Sequence, residues 1–216
     1  MSSAAALPPG AATPSLVSEL FRLIRHPEET FPVLFRRGKS GAVLFFSAIS
    51  GIYVAYAAAR GLDLGDTLGF GATAIAVVLV GATLGLIALY FAGGLLSWSA
   101  ETLRGAAPTE RMYAVFGYAT WPFLPLLILI VPIELALSGT DLFSAARADA
   151  RSPIIWILRV LELATIGLWL YLMIKGTGLA ARFSEAEAVE TLGLSLVELS
   201  VILLLLLVIL VVAFLI

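Results

Sequence analysis

The sequence predicts an all-α polytopic membrane protein: a five-transmembrane-helix bundle behind a short N-terminal interfacial amphipathic helix, oriented N-in/C-out. Three observations predict this. Five apolar stretches, approximately 41–59, 68–98, 115–137, 153–174 and 194–216, each approach or exceed the roughly 20 residues a helix needs to cross a bilayer core. Of the 216 residues, 61% are hydrophobic and 13% charged, and the mean hydropathy is +1.04; too little charge exists to cover a water-soluble surface. Finally, the basic residues alternate between connecting segments as topology demands. With five crossings, nine Lys and Arg fall on the N-terminal side, at Arg22, Arg25, Arg36, Arg37, Lys39, Arg104, Arg111, Lys175 and Arg182. Three fall opposite, at Arg60, Arg147 and Arg151, and Arg159 lies within a span. The basic side stays in the cytoplasm.

The chain divides into a leader, a helical prelude and the membrane domain. Residues 1–14 are rich in Ala, Pro, Gly and Ser and have little to bury, so a disordered start is expected. Residues 15–40 form the interfacial helix and a basic linker. Leu16, Leu20, Leu23 and Ile24 share one helical face, with Ser18, Glu19, Arg22 and Arg25 on the other. Ser15 is the expected N-cap and Pro27 helps to stop the helix. Such a helix lies in the membrane interface or packs on the span ends, and the pattern fits both. Ala55-Tyr56-Ala57 mimics a signal cleavage site, but about forty residues precede its apolar run, so the first span is expected to remain uncleaved.

Residues 41–216 are the membrane domain. The first span carries a small-residue stripe, Ser47, Gly51, Ala55 and Ala59, and the second carries Gly81 and Gly85, continued by Ala88 and Ala92. Small stripes let helices approach closely, either against neighbouring spans or across a dimer interface. Pro122, Pro125 and Pro132 in the third span each remove a backbone donor and favour kinks. Ser152-Pro153 opens the fourth span as N-cap and first helical residue. Ser184 and Glu187 form a capping box that starts a short helix before the last span, whose Leu203 to Leu207 run is expected at the lipid-facing periphery.

An ionisable group inside a span is costly and marks a functional or structural site. Arg159 and Glu162 lie three residues apart on the fourth span, one helical face, and Glu134 lies near the end of the third. At 1.5 Å per residue, Glu134 and Arg159 reach similar depth, with Glu162 about 4.5 Å deeper. The sequence therefore predicts a Glu134–Arg159–Glu162 cluster inside the bundle, which either fixes helix register or handles an ion, proton or lipid headgroup.

Other functions find no support in the residues. The net charge of −2 and the lack of a basic stripe argue against nucleic acid. Cysteine is absent and His26 is the sole histidine, so neither a thiolate nor a multi-histidine metal site is expected. No nucleophile with a histidine partner, no HExxH and no Walker lysine appear. The expectation is no enzyme, no cofactor and no metal.

A family resemblance enters through short motifs. His26-Pro27-Glu28-Glu29-Thr30-Phe31 before the first span resembles the Pro-x-x-Thr-Phe segment of the bacterial branch of the YIP (Ypt-interacting protein) domain family. Gly93-Gly94 and Thr102-Leu103-Arg104-Gly105-Ala106-Ala107 are similar to its Gly-rich connection. Gly117-Tyr118-Ala119 followed by Pro122 resembles its Gly-Tyr-x-x-x-Pro entry to the third span, and Gly167 to Ala188 resembles its fourth-span exit. The resemblance spans roughly Leu16 to Ile216 and implies a five-span membrane fold, here in a bacterial cytoplasmic (inner) membrane. Its eukaryotic members imply vesicle traffic and Rab-type GTPases. That role does not carry over, because the Asp-Leu-Tyr-Gly-Pro segment is missing and the N-terminal region is short. The expected function is non-catalytic: helix–helix interaction within the lipid bilayer, as a homo-oligomer or an accessory subunit with protein partners. The alternative is a transport or permease component handling a lipid or ion at Arg159/Glu162.

Overall fold

The computed structural model describes residues 15–38, 40–104, 108–146 and 153–215. The expectations for residues 1–14, Lys39, Gly105 to Ala107, Arg147, Arg151 and the Ser152 cap lie outside the described residues. So do the side chains of Leu203 and Leu205 to Leu207, and with them the expected lipid-facing run.

Among the described residues the chain is helical, without strands. Helix α1 (Leu16–Arg25) is capped by Ser15, whose Oγ accepts from the Ser18 N–H at 3.3 Å. Leu20 and Leu23 face inward, whereas Val17 and Phe21 are both 62% exposed. Beyond His26 the expected basic linker is instead a second helix, α2 (Pro27–Arg36). The reason is local: Pro27 sits at the first helical position, where its missing N–H has no bond to lose, so the proline that ends α1 starts α2. The Thr30 hydroxyl donates to the His26 carbonyl at 2.8 Å. Arg22 pairs with Glu29 across the joint, and Arg37 with the buried Glu19 at 2.8 Å.

Helices α3 (Gly41–Gly61) and α5 (Phe70–Arg104) form the most intimate pair in the fold, joined by the single turn α4 (Gly65–Leu68). Their small stripes face each other. A Cβ on Gly51 would lie 2.2 Å from the Gly81 carbonyl oxygen, and one on Gly85 2.1 Å from that of Ser47. Gly81 in turn sits over Ile52 and Ala55. The backbones are in contact here, as small-residue packing in lipid allows.

The third apolar stretch is broken in two, α6 (Thr109–Ala119) and α7 (Phe123–Ser138), at Thr120-Trp121-Pro122. Pro125 falls in the first turn of α7, where no bond is forfeited, while Pro132 lies inside it. A 3₁₀ turn, Gly139–Phe143, follows. Helix α8 (Pro153–Ala181) is continuous. Ser184 and Glu187 do form the capping box: the Glu187 carboxylate accepts from the Ser184 N–H at 2.9 Å, and Ser184 Oγ from the Glu187 N–H at 3.4 Å. The helix it opens is not short. It runs unbroken as α9 (Glu185–Leu215), since nothing between Ala188 and Leu194 stops it.

Four segments are long and apolar enough to cross a membrane among the described residues: Gly41–Gly61, Phe70–Leu103, Thr109–Phe143 and Pro153–Ala181. Buried apolar side chains gather at two ends. One group joins Leu23, Phe31, Leu34, Val43, Met112 and Leu172, and the other joins Tyr53, Tyr56, Ile130, Leu142 and Leu158.

Two outcomes follow from this packing. Gly85→Ala forces its methyl into the Ser47 carbonyl, so thermal unfolding in detergent should show a loss of about 1–3 kcal/mol, the usual range for overpacking. Gly94→Ala, with nothing within 4 Å of its Cβ position, should leave the melting temperature unchanged or raised. The exposed Asp66 accepts from Ser144 and from the Ala145 N–H at 3.2 Å, which hold its pKa below the ordinary 3.8. A lowered carboxylate pKa contributes stability that is present above the ordinary value and lost as pH falls through the lowered one. The protection factor of the Ala145 amide, its exchange rate divided into the intrinsic rate at the same pH, should therefore fall on acidification through that range, and in Asp66→Ala it should be low already at neutral pH.

Candidate functional site

The end of the bundle opposite α1 holds four charges from three helices. Arg60 comes from the last turn of α3, Glu134 from α7, and Arg159 and Glu162 from α8. Glu134 is fully buried, and Arg60 and Glu162 are each 8% exposed. Arg60 Nη1 donates to both Glu134 oxygens, at 2.5 and 2.6 Å, and its Nη2 reaches Glu162 Oε1 at 3.4 Å. Arg159 closes the circuit, at 3.1 Å to Glu134 Oε1 and 2.5 Å to Glu162 Oε2. Cation and anion alternate around a ring of no net charge. The Tyr56 hydroxyl donates to Glu134 Oε2, and the Arg60 guanidinium lies 5.4 Å from the Tyr56 ring centre, within cation–π range.

The sequence pattern explains the meeting. Tyr56 and Arg60 are four apart and share one face of α3, and Arg159 and Glu162 are three apart on α8. Parts of α7 and α8 lie at the end of the bundle where α3 finishes. Arg60 was expected on the far side of the membrane as a loop charge; it is instead helical and buried, because α3 continues past its apolar run to Gly61. Charge counting held the clue. Two carboxylates beside one guanidinium leave a buried negative charge, and a cation within reach relieves it.

Chemically the ring is self-satisfied: each carboxylate contacts two guanidinium groups and each guanidinium two carboxylates. It links α3, α7 and α8 by ion pairs. Its one open side is Arg159, whose side chain is 30% exposed. No group of three or more His, Cys, Asp or Glu fit to hold a metal ion occurs among the described residues. Elsewhere Ser99 Oγ donates to Glu198 Oε2 at 2.7 Å and lies 2.8 Å from Ser195 Oγ, joining α5 to α9.

The stripe residues Ser47, Gly51 and Ala55 meet Gly81 and Gly85 within the chain itself, and Ala59 is buried beside the ring helices. The motif residues are packing elements. Pro27 starts α2, and Thr30 caps back onto His26. Phe31 lies against Gly176 of α8, where a Cβ would come within 2.8 Å of its ring. Gly117 faces Val43, with 2.5 Å to its Cγ1 from a Cβ position. The Tyr118 hydroxyl sits 2.9 Å from Ser40 Oγ, and Pro122 lies at the break between α6 and α7. Of the paired glycines, Gly93 packs on Tyr113, while Gly94 is open.

The model of the Yip1 domain matches residues 21–216. The chain belongs to the Yip1 domain family. The match spans the second half of α1 and α2 through α9, so the ring and the motif residues all lie inside the Yip1 domain. With its bilayer-length apolar helices this Yip1 protein is an integral membrane protein in contact with lipid. No curated protein and no solved structure matches the chain.

The ring makes a distinctive mutational signature. Glu134→Gln leaves two guanidinium groups facing one carboxylate and should cost about 3–5 kcal/mol, as when one partner of a buried pair is removed. Arg60→Met should cost a similar amount. The double variant Arg60→Met/Glu134→Met leaves the neutral Arg159–Glu162 pair, so it should melt above either single variant in detergent.

Proposed function

We propose that this Yip1-domain protein is a non-catalytic membrane component that acts by helix–helix association, as a homo-oligomer or as an accessory subunit of a larger membrane complex. The observation that carries this reading is the closed ring of Arg60, Glu134, Arg159 and Glu162. Its buried charges satisfy one another where three apolar helices meet, as in a structural lock, and leave no surplus charge for a passing ion. In this reading the ring and the α3–α5 contact hold a rigid body whose remaining apolar faces meet lipid and partner helices. Exposed side chains such as Leu79, Ile87 and Phe91 on α5, or Trp156 and Leu163 on α8, supply such faces.

Five spans, N-in/C-out, in a bacterial cytoplasmic membrane complete the proposal. The sequence of α9 continues as an apolar run to the end of the chain, and the Lys and Arg distribution favours a cytoplasmic N-terminus. α1 then lies at the cytoplasmic face.

The second reading, a transport or permease component handling a lipid or ion, rests on the partial exposure of Arg159. Two experiments separate the readings. Purification in mild detergent, with mass spectrometry of co-eluting proteins, should recover a stable oligomer or a reproducible partner; recovery of a lone monomer overturns the association reading. In proteoliposomes loaded with a pH- or ion-sensitive dye, wild type and Glu162→Gln should leak equally. A flux that depends on Glu162 establishes the transport reading.

A further inference from the structure

The outward stripe of α1 is apolar for two turns and then cationic. Val17 and Phe21 are both 62% exposed, and Arg25, four residues further, continues their line on the helix. Beneath them runs an apolar groove of about 530 Å³, bounded by Leu20, Phe21, Ala42, Phe45, Trp121 and Ile128 among others. The groove thus lies between α1, the start of α3 and the α6–α7 break, and Phe21 meets Trp121 edge-on at 5.6 Å between ring centres. At its α1 rim Phe21 also borders a cleft with Arg22, Arg25 and His26.

The charges around this rim are unevenly matched. Arg22 pairs with Glu29, Arg37 with Glu19 and Lys175 with Glu28 and Glu185. Among the described residues no carboxylate lies within salt-bridge distance of Arg25 or Arg36, and both are exposed. An apolar trough that adjoins, across Phe21, a cleft carrying Arg22, Arg25 and His26, in a protein already immersed in lipid, matches one ligand chemistry. That ligand has a hydrocarbon chain with an anion at its head. One turn of helix separates Phe21 from Arg25, about 6 Å along the axis, comparable to the step from acyl ester to phosphate.

We propose that the groove beneath α1 seats one acyl chain of an anionic phospholipid, with Arg25 and His26 meeting its phosphate. The site differs from the buried ring: it lies at the other end of the bundle and shares no residue with it. It also differs from general attraction of basic residues to an anionic surface, since Arg36 is likewise exposed but lines neither the groove nor the adjoining cleft of Arg25 and His26.

The test uses full-length protein in phosphatidylcholine vesicles containing a minor fraction of brominated phosphatidylglycerol or brominated phosphatidylcholine. Quenching of Trp121 is read as the difference between wild type and Trp121→Phe. The phosphatidylglycerol should associate more strongly by on the order of fivefold, the factor expected for a basic residue at the membrane surface. Arg25→Gln/His26→Gln should remove the preference, Arg25→Lys should keep it, and Arg36→Gln should leave it unaltered. Equal quenching by the two lipids in wild type overturns the proposal. So does a preference that survives Arg25→Gln/His26→Gln, or one that Arg36→Gln lowers as much. Should Trp121→Phe fail to fold, native mass spectrometry of wild type and the Arg25 and Arg36 variants decides instead. Excess phosphatidylglycerol retained by wild type and Arg36→Gln but not by Arg25→Gln/His26→Gln supports the site; no excess in wild type overturns it.

Discussion

Charge neutrality inside the packed apolar bundle is the constraint on which this fold turns. Four ionised side chains cannot remain there singly, so α3, α7 and α8 must bring Arg60, Glu134, Arg159 and Glu162 to one point. Any sliding of one helix by a turn would separate a guanidinium from its carboxylates. The α3–α5 contact supplies what the ring lacks. It holds α5, which brings no charge to the ring, through backbone approach at Gly51, Gly81 and Gly85. One device is electrostatic and specific, the other steric and close-range, and α3 takes part in both.

The opposite end is organised by shape instead. Phe31 enters the space left by Gly176, Val43 the space left by Gly117, and Tyr118 reaches Ser40. The first of these contacts ties α2 to α8, and the other two tie α6 to α3 and to the Ser40 that precedes it. They give a physical meaning to motif residues that read, in sequence, only as short family signatures: Phe31 fills the space over a glycine of another helix, Gly117 admits Val43, and Tyr118 bonds to a serine ahead of α3. The N-terminal helices are therefore part of the packed body, through Phe31 of α2 above all.

Much of the fold was legible because lipid narrows the choices. Apolar stretches of bilayer length must be helices, and their positions agree with α3, α5, α8 and the broken α6–α7 pair. The Ser184–Glu187 box was readable from local chemistry alone. What escaped was the consequence of local signals at helix ends. Pro27 reads as a stop but also starts a helix, and no residue after Glu187 announces that α9 continues. Arg60 was hidden for a related reason: a terminal arginine looks like an interfacial charge unless its helix extends and a buried anion awaits it. Glu134, Arg159 and Glu162 were visible as charges within apolar stretches; their circular arrangement needed the fourth member and the tertiary approach of α3, which no spacing encodes.

The length of α5 carries a further implication. Its 35 residues give a rod of about 52 Å at 1.5 Å per residue, against a hydrocarbon slab of about 30 Å. The surplus has to be absorbed by leaning or by projecting beyond the slab, and α3, locked to it along the glycine seam, is carried with it. Bilayer thickness thereby becomes a mechanical input: a thinner or thicker membrane changes the lean of this pair at a modest cost per ångström of mismatch.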